Sequence, residues 1–212
     1  MKNIQETKPE DFRSYFEYLI ASQAKASKLL LKVLSLIDAG ESAKANPHAV
    51  DLGCGIGQET AELLSRGWSV DAIDFSQEGI DRLLARPEAS ANQERLHARV
   101  QSFSDADWQR ANLVLACASL PYGPPACFDA VWNKIVNSLE PGGYFAGNFF
   151  GPDHHVGMTH IVRRSRSEVE AMLAGLEVIQ LEEVHRQVPG AEEPFFYHYF
   201  DVIARKPVTV QK

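Results

Sequence analysis

Val50-Asp51-Leu52-Gly53-Cys54-Gly55-Ile56-Gly57 constrains this chain more than any other stretch. The apolar run Ala49–Leu52 reads as a short buried strand, and Gln58–Arg66 as the start of a helix. Glycines at 53, 55 and 57 stand between them. A strand, a glycine-rich turn and a helix N-terminus make a place where backbone approaches a ligand closely. Glycine adopts φ > 0 there and carries no Cβ to block the approach. The helix start adds unpaired N–H groups and a partial positive charge, which suit an anionic group such as a carboxylate. A dinucleotide turn needs G-x-G-x-x-G. Here Gln58 stands at the closing position, and the order is acid-x-Gly-x-Gly-x-Gly.

Beyond residue 48 strands and helices alternate. Val70–Ile73 reads as a second strand, ending at Asp74, and Gln77–Ala85 as the helix after it. Pro87–Gln93 reads as loop and Leu96–Gln101 as a third strand. Leu113–Cys117 is apolar throughout, which places it centrally in a sheet covered on both faces. Phe128–Leu139 reads as a helix, Pro141-Gly142-Gly143 as a turn and Tyr144–Phe150 as a fifth strand. Ser167–Leu173 is a short helix with Ser167 as N-cap and Glu168 and Glu170 in its first turn. Leu176–Val188 and Tyr197–Arg205 are β-rich and read as a hairpin joined by Pro189–Pro194. Alternating βα units predict an α/β fold: a doubly wound, mostly parallel seven-stranded sheet with a C-terminal antiparallel hairpin. Ahead of it, Phe12, Tyr15, Phe16, Leu19 and Ile20 recur at helical spacing, and Ala24–Ile37 continues the pattern. Residues 1–46 are expected as a helical lead-in or lid, 47–206 as the main domain and 207–212 as a tail.

A chain of 212 residues suits one domain with a substantial core. Its net charge of −7 gives no general attraction to phosphate backbones, so nucleic acid is not an expected partner. Arg163, Arg164 and Arg166 form the one dense basic group, read as a solvated helix start or loop. Cys54, Cys117 and Cys127 are odd in number and irregularly spaced, which gives neither a disulfide framework nor a zinc pattern. No apolar run approaches the ~20 residues of a membrane span. Met1–Glu10 is unlike a signal peptide. A cytoplasmic monomer or homodimer with no membrane partner is the expectation.

The order acid-x-Gly-x-Gly-x-Gly resembles the first motif of class I S-adenosylmethionine (SAM)-dependent methyltransferases. Three further features fall in the family's order: Asp74 after the second strand, Ser119-Leu120-Pro121-Tyr122 after the central strand, and Leu139-Glu140-Pro141-Gly142-Gly143 before the fifth. The resemblance covers about residues 48–150, is looser over 151–206 and is absent over 1–46. It implies a Rossmann-like methyltransferase fold, SAM as cofactor and S-adenosylhomocysteine (SAH) as product. In that family the acid and the glycines line the methionine end, which assigns Asp51, Gly53, Gly55 and Gly57 there, with Cys54 contributing backbone. Asp74 ends a strand at the ligand crevice of a doubly wound sheet. A carboxylate there accepts both ribose hydroxyls, in charge-assisted bonds worth about 1.5–3 kcal/mol each. Ribose contact is the preferred reading, with capping of the next helix as the alternative. Phe75 is placed against the adenine face. Phe103 and Ser104 follow the third strand, where family members place adenine contacts. Cys117 ends the central strand, where the methyl group should emerge.

The loop Ser119-Leu120-Pro121-Tyr122 lacks the acid or amide, two prolines and aromatic of DNA amino-methyltransferases. It resembles the loop of small-molecule and tellurite-resistance-type bacterial methyltransferases. Tyr122 suits a substrate pocket or a packed loop, Tyr15 a lid over the site, and His198 the acceptor pocket or the core. Candidates for a general base follow the fifth strand: Asp153, His154, His155 and His160, with His154 and His155 preferred because histidine titrates near neutrality. Adjacent histidines in extended chain point to opposite faces, so no metal is expected from them. The expected function is in-line methyl transfer from SAM to a small molecule, with positioning supplying up to ~7–11 kcal/mol of the barrier. A methyltransferase of protein or nucleic acid, or a non-catalytic SAM-binding sensor or partner subunit, are the alternatives.

Overall fold

The buried run at residues 48–52 forms β1 (His48–Leu52), which pairs in parallel on both sides, with β2 (Ser69–Asp74) and β4 (Ala111–Ala116). The computed structural model describes residues 12–40, 46–155, 161–187 and 196–208. Within them β3 (Leu96–Val100), β5 (Leu139–Phe150), β6 (Glu177–Gln187) and β7 (Phe196–Arg205) complete a seven-stranded sheet of order β3-β2-β1-β4-β5-β7-β6. β1 to β5 run parallel, while β7 is antiparallel to both β5 and β6. This is the Rossmann-like methyltransferase sheet with its terminal hairpin. Strand order reverses between β1 and β4, and ligands bind at such switch points beyond the C-terminal strand ends.

Period-two alternation sends successive strand residues into two cores, one per face. Val50, Leu52, Val114 and Ala116 join Phe145 and Phe149 under α6 (Phe128–Ser138) and α7 (Arg166–Met172). Ala49, Leu113 and Leu115 face the other way. They pack with Leu30, Val33 and Leu34 of α2 (Lys28–Asp38) and with Leu63 and Leu64 of α3 (Gln58–Ser65). α4 (Gln77–Leu84) adds Ile80 and Leu83 to this second core, beside α5 (Pro87–Ser90). α1 (Arg13–Ala21) buries Phe16 alone.

Local chemistry explains where the boundaries depart from the sequence reading. α5 forms inside the expected loop because Pro87 stands at the first helical position, where its fixed φ helps. The N-cap of α7 is Ser165, not Ser167: Ser165 accepts from the Glu168 N–H, and the Glu168 carboxylate accepts from the Ser165 N–H at 2.7 Å. Ser167 has the same spacing to Glu170, but the helix already starts at Arg166, so Ser167 lies inside it and Ser165 takes the extended cap position. β5 begins at Leu139, so Pro141-Gly142-Gly143 lies at a register shift within the strand. A Cβ on Gly143 would lie 2.9 Å from the Glu140 carbonyl oxygen and 3.1 Å from that of Ala111, so backbone alone fits there. The expected hairpin turn over 189–194, His160 and the chain ends at 1–11 and 209–212 lie outside the described residues.

Candidate active site

The glycine loop between β1 and α3 is held by its own neighbours. Gly53, Gly55 and Gly57 take φ of +73°, +51° and +81°. A Cβ on Gly53 would lie 2.2 Å from Ser119 Cβ, and one on Gly57 2.3 Å from Leu83 Cδ1. The loop is thus wedged between the segment after β4 and α4. Asp51 ends up behind it, 2% exposed, with Oδ2 accepting from the Thr60 hydroxyl at 2.6 Å. Burial, with the nearby Glu59 charge, pushes the Asp51 carboxyl up to about 7.

Asp74 stands at the end of β2 and faces the same space. Its Oδ2 accepts from the Gly55 N–H and its Oδ1 from the Ser76 N–H, both at 2.8 Å. It therefore ties the glycine loop to the start of α4, where Ser76 caps the helix through Gly79 N–H. A carboxylate has about four acceptor positions, so room remains for a further donor. Burial raises the Asp74 carboxyl above its ordinary range, against the pull of those backbone donors.

These groups border a cavity of about 410 Å³ above the ends of β1, β2 and β4. Gly53, Gly55, Asp74, Glu59 and Phe75 line one wall, and Phe103, Ala118, Ser119 and Tyr122 another. α1 lays Phe12, Tyr15 and Phe16 across the top. Phe12 meets Phe75 edge-on at 5.6 Å and Tyr122 at 5.1 Å between ring centroids. Phe16 sits over the Gly55 backbone. Arg13 of α1 pairs with Glu78 of α4 at 3.1 Å. Asp74 and Glu59 on the wall and Asp51 behind it make the surroundings acidic. Lys25 is the one lysine or arginine among the described lining residues.

Residues 49–143 match the family model of a methyltransferase domain. That stretch, a little under half of the chain, has the sequence of a methyltransferase domain. Curated relatives are carboxy-S-adenosyl-L-methionine synthases: 28% identical over 109 residues in Pseudoalteromonas translucida (strain TAC 125), and 29% over 100 residues in Shewanella woodyi (strain ATCC 51908 / MS32). The matches take in 50% and 45% of this chain, and 45% and 41% of those proteins, so the chain spans about half the length of the curated relatives it matches. Among solved structures, TehB from Haemophilus influenzae superposes with a TM-score of 0.68 at 13% identity, over 85% of this chain and 62% of that one. The Burkholderia thailandensis 1,6-didemethyltoxoflavin-N1-methyltransferase, bound to its substrate and SAH, gives 0.65 at 20% identity over 96% and 92%. Magnesium protoporphyrin IX methyltransferase from Synechocystis PCC 6803, with bound SAM, gives 0.64 at 13% over 97% and 100%. At these identities the likeness is one of fold.

The fold brings Gly53, Cys54, Gly55, Asp74, Phe75, Phe103, Cys117, Tyr15 and Tyr122 around one cavity. Asp51 and Gly57 support it from behind, and Ser104 bonds to Ser102 beside it. His154, His155 and His198 are elsewhere. After β5 the chain keeps running along β7, with Gly151 N–H donating to His198 O at 2.8 Å and His155 N–H to Phe196 O at 3.0 Å. That pairing carries both histidines away from the cavity. His154 stacks on Phe150 at 3.8 Å, and burial pushes its imidazole down to about 4. Tyr122 is held between Phe12 and Phe150, where burial pushes its phenol up to about 12.

Glu59 and Asn148 are cavity residues that the sequence reading missed. Glu59 Oε1 accepts from the Ser27 N–H at 3.0 Å, joining α3 to the start of α2. Asn148 Oδ1 accepts from the Ala118 N–H at 2.8 Å, and its Nδ2 donates to Asp201. That bond holds Ala118 at a φ of +49°. The signal for Asn148 was a lone polar residue near the end of an apolar strand. Glu59 carried none beyond an acid in a helix's first turn.

Proposed function

We propose that the chain transfers the methyl group of SAM to a small-molecule acceptor in the cavity at the β1–β4 switch point. The observation that carries this reading is the cavity itself: a glycine loop, a strand-end carboxylate and an aromatic roof on one space of about 410 Å³. SAM supplies an electrophilic methyl on a sulfonium that is also the leaving group. Its cationic groups suit the acidic wall of Asp74 and Glu59, with Asp51 behind it. In this reading Asp74 offers its free lone pairs to the ribose and Phe75 and Phe103 flank the base. The glycine loop takes the methionine end.

The remaining work is positioning and water exclusion. α1 closes the top with Phe12, Tyr15 and Phe16. Tyr122, with its high pKa, keeps its proton near neutrality and serves as a donor and a wall. No histidine lines the cavity among the described residues, so acceptors that react without a histidine base fit best. Arg164 pairs with Asp129, Arg166 with Glu170 and Glu183, and Arg163 donates to His154 O. That internal pairing supports a small acceptor over a nucleic acid. No described helix is long and apolar enough to cross a membrane, and all three cysteines are free.

The test is transfer of radiolabelled methyl from SAM to metabolite fractions, protein and nucleic acid in parallel. Label in low-molecular-weight product is expected, and label confined to macromolecules would contradict the reading. The curated relatives favour a second reading, in which SAM itself is carboxylated. With Lys25 the one cationic side chain on the described wall, the site offers little to hold an added carboxylate. Mass spectrometry of SAM after incubation with candidate carboxyl donors separates the two.

A further inference from the structure

The register of β6 and β7 sets His185 directly opposite His198, with ring centroids 4.4 Å apart. The loop after β5 brings Asp153 to the same point. We propose that Asp153, His185 and His198 bind a divalent transition-metal ion, with zinc as the best match, at a site separate from the cavity.

Three geometric facts support the site. Asp153 Oδ2 is 3.4 Å from His185 Nε2 and 3.5 Å from His198 Nδ1, and the three ligand atoms all lie within 4.8 Å of one another. Zinc bonds of ~2.0–2.2 Å place tetrahedral donors about 3.3–3.5 Å apart. Second, His198 Nε2 is 3.0 Å from Glu183 Oε1. An imidazole donating its far N–H to a carboxylate presents its other nitrogen as a lone pair, the arrangement that orients metal-binding histidines. The Asp153 N–H, 3.3 Å from His198 Nδ1, donates to that lone pair, which reports the same tautomer, and the ion takes the lone pair in place of this long hydrogen bond. Third, the ring is fixed. A Cβ on Gly151 would come within 2.3 Å of it, and Arg166 holds the second Glu183 oxygen at 3.1 Å.

Two imidazole nitrogens and one carboxylate oxygen select zinc and its transition-metal neighbours over calcium or magnesium, and leave a fourth position for water. Asp153 and His185 are exposed, so an ion reaches them from solvent. Once bound, it would pin the loop after β5 to the hairpin. That loop supports Phe150, which packs edge-on against Tyr122 at 5.4 Å on the cavity wall.

The test uses the untagged full chain, stripped with a chelator and titrated with zinc against a chromophoric competitor. Cobalt serves as a spectroscopic probe. One equivalent of zinc should bind, and cobalt should give visible bands of tetrahedral intensity. His185→Ala and Asp153→Asn, both at exposed positions, should each weaken binding at least tenfold with unchanged circular dichroism. Glu183→Gln should weaken it about 10- to 100-fold yet keep the cobalt bands at saturation, as a positioning residue would. No saturable binding up to millimolar zinc would overturn the proposal, and so would binding that neither His185→Ala nor Asp153→Asn weakens. The first result would leave these histidines as partners of carboxylates only.

Discussion

Asp74 holds two backbone segments and faces the cavity with one side chain. Asp74→Asn keeps an acceptor for the backbone but removes the charge. We expect SAH affinity to fall about 10- to 150-fold, the loss of one or two charge-assisted bonds at 1.5–3 kcal/mol. Calorimetric titration reads this directly. Asp51 makes a different prediction. Folding raises its carboxyl from 3.8 to about 7, so between those values the folded state holds a proton that the unfolded chain has released. The contribution of Asp51 to stability is then full below the lower value and is lost as pH rises through the upper one. Asp51→Asn keeps an oxygen for Thr60 and removes the titration. Its unfolding free energy in ligand-free protein should gain on wild type by on the order of a few kcal/mol between pH 4 and 8. A constant difference across that range would contradict the raised value. At Gly57 the added Cβ meets Leu83 and φ is left-handed. Gly57→Ala should cost about 2–5 kcal/mol, from about 1–2 for the backbone and 1–3 for overpacking. In a Leu83→Ala background the cost should drop to the backbone share, as a double-mutant cycle would show.

Among the elements, α1 is the one whose role is plainest in the structure and least plain in the sequence. Its apolar spacing announced a helix. That Phe16 seats on Gly55 depended on where α4 and the glycine loop meet, which no local pattern encodes. Phe16→Ala should weaken SAH binding by about 10- to 150-fold, the 1.5–3 kcal/mol of a buried aromatic side chain. The global unfolding midpoint should move little, because α1 shares only this residue with the interior. Equal losses in both would show that α1 is core rather than lid. The strands were legible because their apolar runs are long and bounded by glycine, proline or acid. The glycines were legible as a turn, but their requirement comes from Ser119 and Leu83, residues far along the chain. His154 and His155 looked like site residues from their place after β5. Continued pairing with β7 sets the path of that loop, and sequence order does not reveal it. His185 and His198 likewise meet only through strand register.

At the scale of the whole molecule, an acidic chain folds around an acidic cavity at the point where sheet order reverses. The site draws on distant segments, from α1 to Asn148, while the family match spans 49–143. The N-terminal helices and β5 therefore supply what the matched core lacks: a roof, and the Asn148 bond that shapes the loop after β4. The central claim is that this cavity holds SAM through Asp74. Calorimetric titration of the full chain with SAH, beside Asp74→Asn, tests it most directly. The account predicts a single saturable site per chain in the wild type and a clear loss of affinity in the variant. No saturable heat with wild type, or equal affinity in both proteins, would contradict it.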